Sequence, residues 1–242
     1  MATYLIVGAS GGIGSALCEI LAADGHQLVL AARREDPLRQ LAGRVGGHPI
    51  CVDATDPAAY EHAAQQAVER YGALDGVVNA VGSILLKPAH LTRDEDWAET
   101  LSLNLTTAFH AVRSAARTIK GAGSVVLMSS SAARVGLANH EAIAAAKAGV
   151  IGLMQSAAAS YASRGLRFNA LAPGLVRTPM SARITASAAG EKASLAMHPL
   201  GKLGEADQVA RFAAWLLDEK QDWVTGQVFG VDGGLATVRT RG

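Results

Sequence analysis

A run of small residues directly after the first apolar segment has the spacing of a phosphate-binding turn. In "VGASGGIG", Gly8, Gly12 and Gly14 form a G-x-x-x-G-x-G pattern, to which Gly11 adds flexibility. Glycine allows a tight turn and lets backbone N–H groups approach a pyrophosphate, which then lies at the positive end of the following helix. The pattern predicts nucleotide binding, although an ordinary glycine-rich turn between a strand and a helix would have the same residues.

A second group of side chains is spaced along one predicted helix, "HEAIAAAKAG". His140 precedes Ile143 by three residues and Lys147 by seven, so the three side chains share a helix face. Imidazole has an unperturbed pKa of about 6.5, which suits proton transfer near neutrality. His140 is therefore a candidate proton donor; the alternative is that it only caps or lines the start of the helix.

Seven apolar, β-branched segments alternate with helical segments and would position these groups. They are "TYLIVGA", "HQLVLAARR", "HPICVDATD", "LDGVVNAVG", "GSVVLMSSS", "LRFNALAPG" and "GQVFGVDGG". Continuous apolar runs are typical of strands buried on both faces of a parallel sheet. The sequence predicts a single α/β domain over residues 1–242: a Rossmann-like, doubly wound, seven-stranded and mostly parallel sheet with helices on both faces.

The segments between the strands give further expectations. Asp56-Pro57 is predicted to begin a helix that ends near Tyr71, and a long helix is predicted from about Glu95 to Ile119. Residues 181–203 are small, polar and weakly patterned, which predicts a mobile lid over a substrate site.

Composition excludes several classes of function. The net charge is +1 with both signs interspersed, so neither nucleic acid nor a membrane surface is an expected partner. No uninterrupted apolar stretch has the length that spans a bilayer, and the start has no signal-peptide pattern. Cys18 and Cys51 are interpreted as small core residues without metal-binding spacing. We expect a cytoplasmic protein with no metal.

Along essentially its whole length the chain resembles the short-chain dehydrogenase/reductase family. The resemblance rests on the glycine pattern, on "CVDATD" and "NAVG" after the third and fourth strands, and on "LAPGLVRTPM" and "VTGQVFGVDGG". One departure is Ala80, which stands where the family has the second asparagine of Asn-Asn-Ala-Gly. The resemblance implies that Asp53 holds the adenine and that Val176 and Thr178 meet the nicotinamide carboxamide.

The expected cofactor-binding residues lie near the carboxyl ends of the strands and in the predicted helix that carries Lys147. They are Gly8, Ser10, Gly11, Gly12, Ile13, Gly14, Arg33, Arg34, Asp53, Ala54, Asn79, Ala80, Val81, Gly82, Lys147, Pro173, Gly174, Val176 and Thr178.

Cofactor choice depends on the end of the second strand, where an acidic side chain would accept hydrogen bonds from a free ribose 2′-hydroxyl. The sequence there is "AARRED", with Arg33 and Arg34 in place of an acid. A guanidinium fork suits a phosphate, so NADP(H) is favoured over NAD(H). The alternative is a solvated basic pair without a ligand.

The resemblance also implies a catalytic set. In the family an asparagine, a serine, a tyrosine and a lysine act together, and the matching residues are Asn104, Ser130 and Lys147. Ser129 and Ser131 flank Ser130, so the serine assignment could shift by one residue. The tyrosine position is Ile143, which can neither donate nor accept a proton.

Three hypotheses follow. The first is an NADP(H)-dependent oxidoreductase that transfers hydride between nicotinamide and a carbonyl or alcohol substrate, using His140 or a serine-held water as the proton donor. The second is a catalytically silent NADP(H)-binding module, a sensor or assembly partner. The third, a cofactor-independent lyase or dehalogenase, is disfavoured by the intact nucleotide loop. The resemblance implies a homo-oligomer, a dimer or tetramer, and Leu137, Ala138 and Met180 hint at an apolar pocket.

Overall fold

Seven parallel strands form the central sheet of the computed structural model, which describes residues 1–239. The strands, in chain order, are β1 (Thr3–Val7), β2 (Gln27–Ala32), β3 (His48–Cys51), β4 (Gly76–Asn79), β5 (Gly123–Met128), β6 (Leu166–Pro173), β7 (Val176–Arg177), β8 (Gly204–Glu205) and β9 (Val228–Val231). The large sheet has the order β3-β2-β1-β4-β5-β6-β9, and β7 pairs with β8 in a separate two-stranded sheet. All seven predicted strands are confirmed, whereas the short β7–β8 pair was not predicted.

Helices cover both faces of the sheet, as the sequence predicts. They are α1 (Gly12–Ala23), α2 (Glu35–Val45), α3 (Pro57–Tyr71), α4 (Asp94–Leu101), α5 (Thr107–Thr118), α6 (Glu141–Tyr161), α7 (Ala182–Thr185), α8 (Ala188–Ala196) and α9 (Ala206–Leu217). Asp56 caps α3 as expected, its carboxylate accepting a hydrogen bond from the Ala58 amide at 2.9 Å. α7 and α8 both fall within the expected lid; its mobility stays a prediction.

Two apolar cores lie on opposite faces of the sheet. In β1, Leu5 and Val7 pack into the core beneath α3, α5 and α6, while Tyr4 and Ile6 pack into the core beneath α1, α2 and α9. Successive side chains of a strand point to opposite faces, so burial on both faces requires an apolar residue at nearly every position. This is the physical reason why the strands are continuous apolar runs.

The interpretation of Cys51 as a core residue is wrong. Cys51 is exposed rather than part of the core, because it is the last residue of the edge strand β3, and its thiol donates to the carbonyl of Arg33. Residues 141–164 are, by length and composition, apolar enough to cross a membrane. That helix supplies Val150, Met154 and Ala157 to the core under the sheet, and such a buried helix passes the same test.

The direction of the strand order reverses between β1 and β4. The helix that follows β1 lies on one face of the sheet, and the helices that follow β4 lie on the other. In open parallel sheets the crevice beyond the carboxyl ends of the strands at this switch point is the usual ligand site. The glycine turn after β1 and the "NAVG" segment after β4 both reach this crevice.

Candidate active site and cofactor cleft

Three chain segments meet where the glycine turn leaves β1. Gly8 has φ +86°, and a Cβ there would lie 2.8 Å from the carbonyl carbon of Ala80. A Cβ on Gly12 would lie 2.7 Å from Cγ2 of Thr178. The turn therefore lies against both the "NAVG" segment and the segment that carries Thr178. At Gly8 only glycine fits, because the atoms in the way are backbone atoms and φ is positive.

The first turn of α1 is open to an anion. Gly11 is its N-cap residue, no side chain caps it, and no acidic residue lies in the first turn. The unpaired N–H groups and the positive end of the helix dipole favour a phosphate at this point. Together with the glycine contacts, this open helix end fits the pyrophosphate of a dinucleotide.

Arg33 and Arg34 lie directly after β2, and both are exposed. Neighbouring Glu35 is held in an ion pair with Arg39 at 2.6 Å. Among residues 1–239, neither Arg33 nor Arg34 makes an ion pair of its own. Two guanidinium groups therefore remain available at the carboxyl end of β2.

Asp53 lies just beyond the end of β3. One carboxylate oxygen accepts hydrogen bonds from the Thr55 amide at 2.9 Å and from the Thr55 hydroxyl at 2.7 Å. These bonds, the amide first, lower the pKa of Asp53, and the charge of Arg33 lowers it further. Asp53 is consequently an ionised acceptor next to Ala54, whose carbonyl accepts a hydrogen bond from Nδ1 of buried His110.

The "NAVG" segment is anchored at its start. The Asn79 amide nitrogen donates to the Thr107 hydroxyl at 3.2 Å, and the backbone amide of Ala80 donates to the carbonyl of Val7 at 2.8 Å. The side-chain oxygen of Asn79 is buried without a hydrogen-bond partner in the described chain. The segment is thus fixed to β1 and α5, on one side of the crevice.

Lys147 is the buried cation of the site. Its side chain is 7% exposed, and its Nζ donates to the carbonyl of Met128 at 2.8 Å. Burial lowers the pKa of Lys147 to about 8. A Cβ on Gly82 would lie 3.4 Å from this Nζ and 2.8 Å from the side-chain oxygen of Asn104, so Gly82 separates the two side chains.

Asn104 lies in a π-helical turn, Ser102–Thr106, between α4 and α5. The long helix predicted from about Glu95 to Ile119 is confirmed as a helical run from Asp94 to Thr118 that contains this π-turn. Asn104 is 1% exposed, accepts from the Ser83 amide at 3.1 Å, and donates to the Ser83 hydroxyl at 3.0 Å and to the Thr100 carbonyl at 2.9 Å. π-turns are rare and occur frequently at functional sites.

The three consecutive serines after β5 have different environments. Ser129 donates to the carbonyl of Lys147 at 2.9 Å, and Ser131 donates to the carboxylate of Asp232 at 2.8 Å, so both hydroxyl hydrogens are engaged. The Ser130 hydroxyl accepts from the Ala132 amide at 3.2 Å and makes no donation within the described chain. Its hydrogen is free for a substrate, which favours Ser130 over its neighbours.

An apolar cavity of about 140 Å³ opens at Ser130. His140, Ile143 and Leu137 line it together with Ser130, so the expected proton donor and the isoleucine face one space. Ala138 and Met180 do not line it. Several remaining walls come from residues expected at the site: Ser131, Pro173 and Gly174, and Ile184, Ser194, Met197 and His198 of the expected lid. The walls that the sequence did not predict are Ile84, Leu86, Ala132, Leu175 and Leu235.

His140 is placed by an unusual backbone turn. Asn139 has φ +63°, a left-handed conformation that asparagine tolerates better than most residues, and His140 follows as the N-cap residue of α6. The imidazole Nδ1 lies 2.7 Å from the carbonyl oxygen of Ala138, which can only accept, so Nδ1 carries a hydrogen. His140 therefore both begins the helix and lines the cavity, with Nε2 as its exchangeable site.

Comparison with known proteins supports an oxidoreductase. A family model described as enoyl-(acyl carrier protein) reductase matches residues 8–236. A short-chain type dehydrogenase/reductase from Mycobacterium ulcerans superimposes with a TM-score of 0.93 at 32% identity, covering 97% of this chain and 90% of that one. The chain belongs to the short-chain dehydrogenase/reductase family.

Two further similarities bear on chemistry. The 3-oxoacyl-(acyl-carrier-protein) reductase FabG of Thermotoga maritima is 33% identical, with 96% of each chain covered. A point mutant of the actinorhodin polyketide ketoreductase, solved with NADPH, has a TM-score of 0.91 at 26% identity and covers 98% of each chain. The chain is thus a short-chain dehydrogenase/reductase-type oxidoreductase. Within residues 1–239 no cluster of His, Cys, Asp and Glu could hold a metal ion.

Proposed function

We propose that the protein is an NADP(H)-dependent oxidoreductase that interconverts a carbonyl and an alcohol with His140 as its proton donor and acceptor. The observation that carries the proposal is the shared cavity: His140 and Ser130, both able to bind a substrate oxygen, face the same space as Ile143. Ile143 occupies the position of the family's tyrosine, four residues before Lys147. An isoleucine cannot transfer a proton, so a neighbouring group must do so.

The hydrogen bond that the His140 ring makes determines which of its nitrogens exchanges a proton with the substrate. Because Nδ1 of His140 donates to the Ala138 carbonyl, Nε2 is the atom that exchanges a proton. The neutral ring accepts the hydroxyl proton of an alcohol during oxidation, and the protonated ring donates to the carbonyl oxygen during reduction. Ser130 donates its free hydroxyl hydrogen to the same oxygen and orients it.

Lys147 and Asn104 support the cofactor side of the cavity. NADP(H), held in the crevice by the glycine turn and the first turn of α1, would supply or accept the hydride. Lys147 keeps the ribose-binding role of the family, which does not depend on a tyrosine, and its buried charge favours electron-rich ligand atoms. Asn104 fixes Ser83 and thereby the end of the "NAVG" segment beside Lys147.

NADP(H) is preferred in this proposal because Arg33 and Arg34 lie at the end of β2, where a 2′-phosphate would bind. Neither arginine makes an ion pair with another described residue. The NADPH-bound ketoreductase is consistent with this choice. The apolar cavity walls suit an uncharged ketone or secondary alcohol as the small-molecule partner. We expect a homo-oligomer, either a dimer or a tetramer, and analytical sedimentation would measure its mass.

The test is NADPH consumption by the wild-type protein with a panel of uncharged ketones, accompanied by identification of the alcohol product. The proposal expects stoichiometric alcohol formation, with NADH a poorer donor. Tight NADPH binding without any alcohol would contradict it and would favour the catalytically silent binding module.

A further inference from the structure

A buried histidine connects the expected lid, residues 181–203, to residues 173–178, which are named the cofactor segment because Pro173, Gly174, Val176 and Thr178 are expected to bind the cofactor. His198 follows α8 and is 3% exposed. Its Nδ1 lies 2.7 Å from the carbonyl oxygen of Ser194, and its Nε2 accepts a hydrogen bond from the backbone amide of Leu175 at 3.1 Å. A carbonyl can only accept and an amide N–H can only donate, so the ring is neutral with its hydrogen on Nδ1. Both ring nitrogens are therefore used by backbone groups of different segments.

The ring also contacts the turn beside Leu175. A Cβ on Gly174 would lie 2.6 Å from Nε2 of His198, so residue 174 must be glycine for the ring to sit there. On its other side, a Cβ on Gly233 would lie 3.6 Å from Cβ of His198. The ring is thus held between the segment after β6 and the segment after β9.

His198 stands between two cavities. It lines the 140 Å³ cavity with Ser130 and Ile143, and it also lines a neighbouring cavity of about 360 Å³ with Lys202 and Asp232. α8 contributes Ser194 to the wall of the first cavity, and the cofactor segment contributes Pro173, Gly174 and Leu175. A single ring therefore joins two of the walls that enclose the substrate.

We propose that His198 is a positioning residue that sets α8 against the 173–178 segment and so fixes the substrate cavity next to the nicotinamide. The kinetic side of this inference rests on the proposed function. Since His198 is not one of the groups that exchange a proton with the substrate oxygen, its loss weakens substrate binding and leaves the chemical step nearly unchanged. In kinetic terms, KM rises and kcat is preserved.

The lid has a second attachment that provides a matched control. Glu191 of α8 accepts from Arg177 of β7 at 2.6 Å, but both side chains are more than a third exposed. Exposed ion pairs contribute little to stability. Glu191→Gln therefore weakens another contact between α8 and the 173–178 segment without disturbing a buried hydrogen bond. It is expected to leave KM within about twofold.

The experiment compares His198→Ala, His198→Asn and His198→Gln with the wild type and Glu191→Gln. Glutamine can place its amide oxygen near the position of Nε2 and keep the acceptor for Leu175, whereas asparagine reaches only the position of Nδ1. Leaving a buried amide unpaired costs enough to raise KM roughly tenfold in the alanine and asparagine variants. We expect the glutamine variant to stay within about threefold of the wild type, with kcat unchanged throughout.

Hydrogen exchange at the Leu175 amide provides a readout that does not depend on activity. Exchange is expected to accelerate at least about tenfold in the alanine and asparagine variants and much less in the glutamine variant. Equal exchange in all variants, or a loss of kcat equal to the rise in KM, overturns the proposal. If the wild type does not turn over any ketone, the proposed function fails, and the exchange rates alone decide whether His198 links the two segments.

Discussion

The Nζ of Lys147 donates a hydrogen bond to the carbonyl oxygen of Met128 at 2.8 Å, inside the protein. No carboxylate pairs with this ammonium among the described residues. Burial is the cause that lowers the pKa of the lysine to about 8 from 10.5. The protein thus keeps a cation at a desolvation cost, as expected for a group retained for ligand binding rather than for stability.

This burial predicts a pH-dependent stability. Between about pH 8 and 10.5 the unfolded chain holds a proton on Lys147 that the native state has released, so the free energy of unfolding rises with pH in this window. Relative to Lys147→Met, which removes the titration, the wild type should gain about 3 kcal/mol from pH 7 to 11. Urea unfolding at several pH values measures this difference. The exposed control Lys120→Met should follow the wild type, and a constant difference between wild type and Lys147→Met would contradict the prediction.

The two arginines after β2 predict the cofactor preference. Replacing Arg33 and Arg34 together by alanine removes the charged donors expected at a 2′-phosphate, so the Kd for NADPH should rise roughly tenfold to hundredfold. The Kd for NADH should stay within about threefold, because NADH has no phosphate there. Fluorescence titration of both cofactors measures the preference. Arg44→Ala, which removes an exposed ion pair with Glu19, is the matched control. Equal losses for NADH and NADPH would show that the arginines do not select the phosphate.

The glycine turn predicts contrasting effects of two alanine substitutions. A Cβ on Gly14 would collide with the carbonyl oxygen of Gly8, whereas one on Gly43, in α2, would meet nothing within 4 Å. Gly14→Ala should destabilise the protein by about 1–3 kcal/mol and weaken NADPH binding at least about tenfold. Gly43→Ala should stabilise it by about 0.5–1 kcal/mol without changing NADPH binding. Thermal unfolding and NADPH titration of the two variants distinguish turn geometry from a general effect of alanine.

The sequence predicts the sheet well because burial on both faces imposes a local constraint. Leu5, Ile6 and Val7 must all be apolar, whichever core each one enters, and the run is readable without knowledge of its neighbours. The helix cap at Asp56 is equally local, because the capped amide is only two residues away. The position of Cys51 is not local: its exposure depends on β3 being the edge strand, which only the strand order determines.

In the candidate site, too, some features follow from local spacing and others depend on residues far away in the sequence. The glycine pattern and the face shared by His140, Ile143 and Lys147 follow from spacing. For the three serines, the spacing to Lys147 favours Ser130 but leaves a shift by one residue open. Excluding Ser131 depends on Asp232, about a hundred residues away, which accepts the Ser131 hydroxyl. The link from His198 to Leu175 likewise joins segments that no periodicity relates. The π-turn at Asn104 has no pattern in the sequence, because an extra residue in one turn leaves the surrounding helices unchanged.

The assignment of His140 as the proton donor predicts a slower reaction when this histidine is removed. His140→Ala should lower the rate of hydride transfer by on the order of 10²–10⁴, as expected for loss of a positioned acid. His90→Ala, which changes an exposed histidine outside the cavity, should not change the rate.

The most direct measurement is single-turnover oxidation of bound NADPH by a reactive ketone, for wild type, His140→Ala, His90→Ala and Ile143→Tyr. We expect oxidation by the wild type and by His90→Ala, and a slow reaction in His140→Ala. Bound NADPH that is oxidised only by Ile143→Tyr would contradict this expectation, and would mean that the site binds cofactor without catalysing its oxidation.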